Sequence, residues 1–202
     1  MNHMMGRGSD ESVEKEGGVA RRLLDSRTIL LSGVVDDKQA HRIVGQLLVL
    51  DAESSGEAIT LVINSGGGAI SSGFAIYDVI RGIQAPVRTI GAGLIASMGV
   101  TIFLAAAPER RFSLPNSRYM IHQPLISGTV VAPASDVEIN AREMIKLKDR
   151  LNLLIAEATG KPLEKVVADT HRDYWMNAEE AMAYGIVGKV VESLGDLNRQ
   201  GG

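Results

Sequence analysis

Ser97 stands in Ala96-Ser97-Met98-Gly99, where a glycine-rich strand exit gives way to an apolar, helix-forming stretch. A hydroxyl at such a junction can act as an acyl-transfer nucleophile. It then needs a base for its proton, a group that orients the base, and donors for the oxyanion. First-turn N–H groups of a helix lack internal acceptors, so the N–H of Met98 is a natural oxyanion donor. Taken alone, the same serine reads more simply as a helix N-cap. His122 closes the apolar strand Tyr119-Met-Ile-His122, whereas His3 falls in an N-terminal arm and His41 on a helix face. A lone strand-end histidine is more often a hydrogen-bonded structural ring. Asp173, in His171-Arg-Asp-Tyr-Trp175, reads by itself as a solvated loop carboxylate between helices. Gly66-Gly67-Gly68 ends a buried strand and lets a substrate approach the backbone, although a plain tight turn has the same look.

Two competing motifs fail on context. No Gly-Lys-Ser/Thr follows the three glycines, so they form no phosphate loop. Gly91-Ala-Gly93-Leu-Ile-Ala96 matches a dinucleotide fingerprint, but it lies mid-chain, and Glu109, the acid that would bind ribose, lies past Pro108. The order Ser97, His122, Asp173 also differs from the Ser–Asp–His order of α/β-hydrolases, and Ile95 breaks their G-x-S-x-G elbow.

These residues need a scaffold, and 202 residues with 45% apolar content suffice for one full-sized domain. Strand-like and helix-like segments alternate from Val19 onward, which predicts an α/β fold with largely parallel pairing. Thr28–Leu31, Ile59–Ile63 and Val87–Ile90 read as strands. Asp36 or Asp37 caps a helix burying Ile43, Val44, Leu47 and Leu48; a second helix is centred on Phe74–Ile80 and an apolar one starts near Ser97. Two short strands follow near 111–114 and 118–122. Ser135-Asp-Val-Glu138 predicts a capping box at the head of the longest helix, which Gly160 ends. Beyond it come a helix near Leu163–Ala168, a loop over 169–176, a short helix capped by Asn177, and a strand over 186–191. The expected organisation is a flexible arm over 1–18, one domain over 19–192 and a flexible tail over 193–202. The absence of cysteine excludes thiol nucleophiles and Cys-ligated metals. A net charge of −3 leaves no basic footprint for nucleic acid. The longest apolar run, Leu94–Ala107, falls short of the roughly 20 residues a spanning helix needs.

Set together, Ile63-Asn-Ser-Gly-Gly-Gly68, Ala96-Ser-Met-Gly99, Leu114-Pro-Asn-Ser-Arg118, Met120-Ile-His-Gln-Pro124, Ala141-Arg-Glu143 and Arg172-Asp173 resemble the proteolytic-subunit family of the Clp protease, ClpP, from about Leu23 to Val191. The resemblance implies Ser97 as nucleophile, His122 as general base and Asp173 as the residue orienting the imidazole. Gly68 and Met98 would then supply the oxyanion N–H groups. It also implies a crotonase-like spiral of strand–helix units, with Ser135–Thr159 as a protruding handle that interlocks two stacked seven-membered rings. A AAA+ unfoldase would feed unfolded protein into the chamber in the bacterial cytoplasm. ATP would bind that partner, so this chain would need no cofactor or metal of its own.

Several positions depart from the family pattern. Gly66 replaces the usual proline, which is expected to loosen the oxyanion strand. Ile126–Ala134 replaces a glycine-rich segment and is about two residues longer, which bears on cleavage preference and ring pairing. His171 stands where an acid often precedes Arg172, and the arm lacks the usual apolar start. Two other readings remain open at this level. One is a weakly active ring subunit that requires a second ClpP-type partner. The other is a crotonase-type acyl-CoA enzyme, although no acidic pair stands near Gly68 or Met98.

Overall fold

In the computed structural model, the described residues are 18–125 and 131–200. Residues 18–25 are helical (α1), and β1 (Thr28–Val35), α2 (Asp37–Glu53), β2 (Ile59–Gly68), α3 (Ile70–Gly82), β3 (Val87–Ala96) and α4 (Met98–Phe103) follow in strict alternation. Next come β4 (Arg111–Ser113), β5 (Arg118–Ile121), α5 (Ala134–Thr159), α6 (Leu163–Thr170), β6 (Tyr174–Asn177), α7 (Ala178–Tyr184) and β7 (Lys189–Val190). Leu194–Gln200 forms 3-10 turns where a frayed tail was expected. The main sheet runs β1-β2-β3-β4-β7 and is parallel throughout, as the alternation predicted. β5 branches off the end of β3, and β6 pairs with β5 antiparallel.

Apolar alternation decides which face is packed. Ile29 and Leu31 of β1 and Ile59, Leu61 and Ile63 of β2 form one buried row, and Ile43, Leu47 and Leu50 of α2 and Ile76 and Ile80 of α3 share its core. Asp36 caps α2 by accepting from the N–H of Gln39, as expected. Leu48 is 51% exposed, however, because the inward stripe runs Ala40, Ile43, Leu47, Leu50 and carries Leu48 round to the outer face. The Ser135 capping box does not form. Pro133, extended at ψ 148°, takes the N-cap position, so Ser135 falls inside the first turn with no capping bond. The αL stop at Gly160 does form, as does an Asn177–Glu180 capping box on α7. The first two-thirds of α5 is exposed nearly all round and burial begins at Leu151, so the helix protrudes as a handle.

One buried cation ties the helix ends together. Arg111 is 4% exposed and donates to the carbonyls of Ala106 (2.7 Å), Leu104 (3.1 Å) and Ala158 (2.8 Å), satisfying carbonyls at the C-terminal ends of both α4 and α5. Burial pushes its pKa down to about 10, which leaves it charged at neutral pH. Arg111→Met removes these donors and strands three carbonyls. The expected cost is on the order of 3 kcal/mol, read as a lowered denaturation midpoint.

Candidate active site

Sheet register positions the three polar residues. β3 and β5 pair Ala96 with Met120, and the N–H of Ser97 continues the ladder to the Met120 carbonyl at 2.9 Å. His122 therefore emerges beside the end of β3. The antiparallel pair β5–β6 sets Ile121 opposite Tyr174, which brings Asp173 alongside His122. The carbonyl of Thr170 takes the N–H of Gln123 at 2.7 Å and fixes the chain just past the histidine.

The result is a relay. His122 Nε2 lies 2.9 Å from Ser97 Oγ, and His122 Nδ1 lies 3.3 Å from Asp173 Oδ1. For Nε2 to accept the hydroxyl proton, Nδ1 must carry the other hydrogen, and Asp173 is the carboxylate beside it. The imidazole is largely buried, whereas the Asp173 side chain is 61% exposed.

Ser97 is not acting as an ordinary N-cap. It precedes α4, yet its side chain makes no capping bond, and its backbone sits at φ 54°, ψ −124°. N-caps are extended, while a non-glycine residue at positive φ is strained by about 1–3 kcal/mol. This strain turns the hydroxyl out of the strand toward His122. A strained strand-to-helix elbow therefore exists without the G-x-S-x-G sequence.

The glycine run closes the other side. A Cβ on Gly67 would lie 2.7 Å from Ser97 Cβ and 2.9 Å from Met98 N, so only glycine admits this contact. Gly68, the expected donor, follows in register with Val35, at the exposed end of β2. Gly66, despite replacing a proline, keeps its place in the strand, and a Cβ there would meet only Leu94 Cδ2 at 3.8 Å. Beside Ser97 lies a crevice of about 30 Å³ lined by Ile70, Met98, Thr101, Pro124, Leu151 and Ile155. None of these except Met98 was picked out as a site residue from sequence. Leu151 and Ile155 come from the C-terminal half of α5 and carry only a generic core signal. Across His122, a groove of about 370 Å³ is lined by Gln123, Leu125, His171, Arg172 and Asp173. Ile126–Val130 of the unusual loop, like most of the N-terminal arm, lies outside the described residues. Among the described residues no cluster of His, Asp and Glu could hold a metal, and no helix is long and apolar enough to cross a membrane.

Comparison with family profiles matches residues 11–194 to the family described as Clp protease. The chain belongs to the Clp protease family. It is 47% identical over 180 residues to the ATP-dependent Clp protease proteolytic subunit 2 of Treponema pallidum, covering 89% of each chain. It is also 47% identical over 175 residues to the proteolytic subunit 3 of Rhizobium etli, covering 87% of this chain and 89% of that one. Among solved structures, a mutant ClpP1 from Listeria monocytogenes superposes with a TM-score of 0.80 at 44% identity, over 89% of this chain and 99% of the other. The fold is thus the ClpP fold, and the enzyme class is that of a Clp protease proteolytic subunit, a serine peptidase.

Proposed function

We propose that this chain is a self-compartmentalised serine endopeptidase in which Ser97 attacks the scissile carbonyl, His122 takes and returns the proton, and Asp173 holds the imidazole. The Gly68 and Met98 N–H groups receive the oxyanion. The observation that carries this reading is the continuous relay from Ser97 Oγ through His122 to Asp173, at 2.9 and 3.3 Å. Family membership supports assembly as two stacked seven-membered rings, with α5 interlocking them and a AAA+ unfoldase delivering unfolded protein in the bacterial cytoplasm. In this reading the chain uses no cofactor, and ATP is spent by the partner.

The crevice beside Ser97 is walled by Ile70, Pro124, Leu151 and Ile155, and apart from His122 its lining holds no titratable side chain. It is therefore the proposed seat for an apolar side chain preceding the cleaved bond, and from about 30 Å³ it must widen when leucine or methionine enters. Fluorogenic peptides with leucine, methionine or alanine there are expected to exceed those with aspartate or lysine by at least about tenfold in kcat/KM, since a desolvated charge would go unpaired. Equal rates across the panel would remove this assignment.

A second reading, a subunit active only in a mixed ring, draws support from relatives whose names number them as subunits 2 and 3. Peptidase activity of the purified chain alone would exclude it.

A further inference from the structure

We propose that Asn64 and Ser65 are positioning residues whose side chains bridge the two register slips of β2 and thereby hold its Gly67–Gly68 tip against Ser97. The inference rests on the peptidase reading above and adds to it the parts that set the oxyanion geometry.

β2 slips register on both of its edges at the same place. Against β1, Ser32 pairs with Asn64 but Val34 pairs with Gly67, so Ser65 and Gly66 oppose the single residue Gly33. Against β3, Ile63 pairs with Gly91 but Ser65 pairs with Ile95, so Asn64 opposes the three residues Ala92, Gly93 and Leu94. Each slip interrupts the regular register, at the buried Ser65 on the β1 edge and at the exposed Asn64 on the β3 edge. Two side chains fill the gaps. Ser65 Oγ accepts the N–H of Gly67 at 3.0 Å and donates to the Gly33 carbonyl at 2.5 Å, so it bridges β2 to β1 at the slip. Asn64 Oδ1 accepts the N–H of Leu94 at 3.1 Å on the opposite edge.

The Ser65 bond holds the residue whose backbone packs against Ser97, and the Asn64 bond ties β2 to β3 just before it. Ser65 is 1% exposed, and the peptide it fixes is that of Gly67, whose Cα faces Ser97 Cβ and Met98 N. Two more backbone approaches lock the same corner. A Cβ on Gly99 would lie 2.9 Å from the Ser65 carbonyl, and one on Gly93 would lie 2.9 Å from Asn64 Oδ1. Gly66 lies between Ser65 and Gly67, which the Ser65 Oγ bond ties together, so this part of the tip is braced without a proline. An oxyanion donor must be placed to a fraction of an ångström, and a misplacement near 1 Å can cost about 10²-fold.

The test is Ser65→Ala, with Asn64→Ala as a second variant that leaves the buried core untouched. The protein is the full-length assembled chain, and active sites are counted by a fluorophosphonate. The expected result is a fall of about 10- to 100-fold in kcat per labelled site with KM within about twofold. Affinity for a peptide aldehyde, which forms the tetrahedral adduct, should fall in proportion. A merely structural role would lower the melting temperature and the number of active sites while leaving kcat per site and aldehyde affinity unchanged. That outcome in either variant overturns the inference and leaves the peptidase reading intact. If Ser65→Ala does not fold, the Asn64→Ala result decides by the same criteria. Wild-type protein that assembles yet neither labels nor turns over would overturn the peptidase reading and this inference with it.

Discussion

His122→Ala is expected to lower kcat for peptide hydrolysis by about 10⁴–10⁶-fold with KM little changed. The ring contacts Ser97 Oγ at 2.9 Å, and no other side chain makes a hydrogen bond to that hydroxyl among the described residues. Without it the alcohol must lose its proton to water, and the leaving amine has no acid. The loss falls on kcat because the proton moves only in the transition state. Steady-state kinetics on a short fluorogenic peptide checks the claim, with the variant's assembly state matched to wild type by sedimentation. Asp173→Asn should cost less, because the carboxylate is already 61% exposed and water can take over part of its role.

Gly67→Ala has the second-largest expected effect. The added methyl would lie 2.7 Å from Ser97 Cβ and 2.9 Å from Met98 N, and φ at this residue is +91°. Either the tip of β2 or the nucleophile elbow must retreat, so kcat should fall by at least about 10²–10³, the value of one oxyanion donor. Gly66→Ala is the matching control, since its Cβ meets only Leu94 Cδ2 at 3.8 Å and kcat should hold within about twofold. Adjacent glycines with opposite outcomes separate a steric effect at the nucleophile from general loosening of the strand. Kinetics on both variants, normalised to folded protein by circular dichroism, gives the comparison.

The alternation of strand and helix was legible because each unit shows a clean period: Ile59–Ile63 continuous and apolar, Ile43 and Leu47 at helical spacing. The site residues were legible as types but not as neighbours. Ser97 alone read as an N-cap, and only its strained backbone and missing capping bond tell it from one. β6 escaped detection because Tyr174–Asn177 runs directly into the Asn177 cap of α7, with no turn signal between strand and helix. That strand is what brings Asp173 to His122, so the carboxylate could be picked out only through family resemblance. The Ser135 capping box failed for a local reason, Pro133 having already taken the extended N-cap position. The roles of Asn64 and Ser65 depend on register slips between strands distant in sequence, which no local pattern encodes.

The central claim is that Ser97 is the nucleophile, and active-site labelling tests it most directly. Wild-type protein, shown to hydrolyse peptides, is treated with a fluorophosphonate and the adduct is mapped by peptide mass spectrometry. The expected adduct is a single phosphonyl group on Ser97, absent in Ser97→Ala and formed far more slowly in His122→Ala. Active protein that carries the adduct on another serine, or labels equally well as Ser97→Ala, would contradict the account.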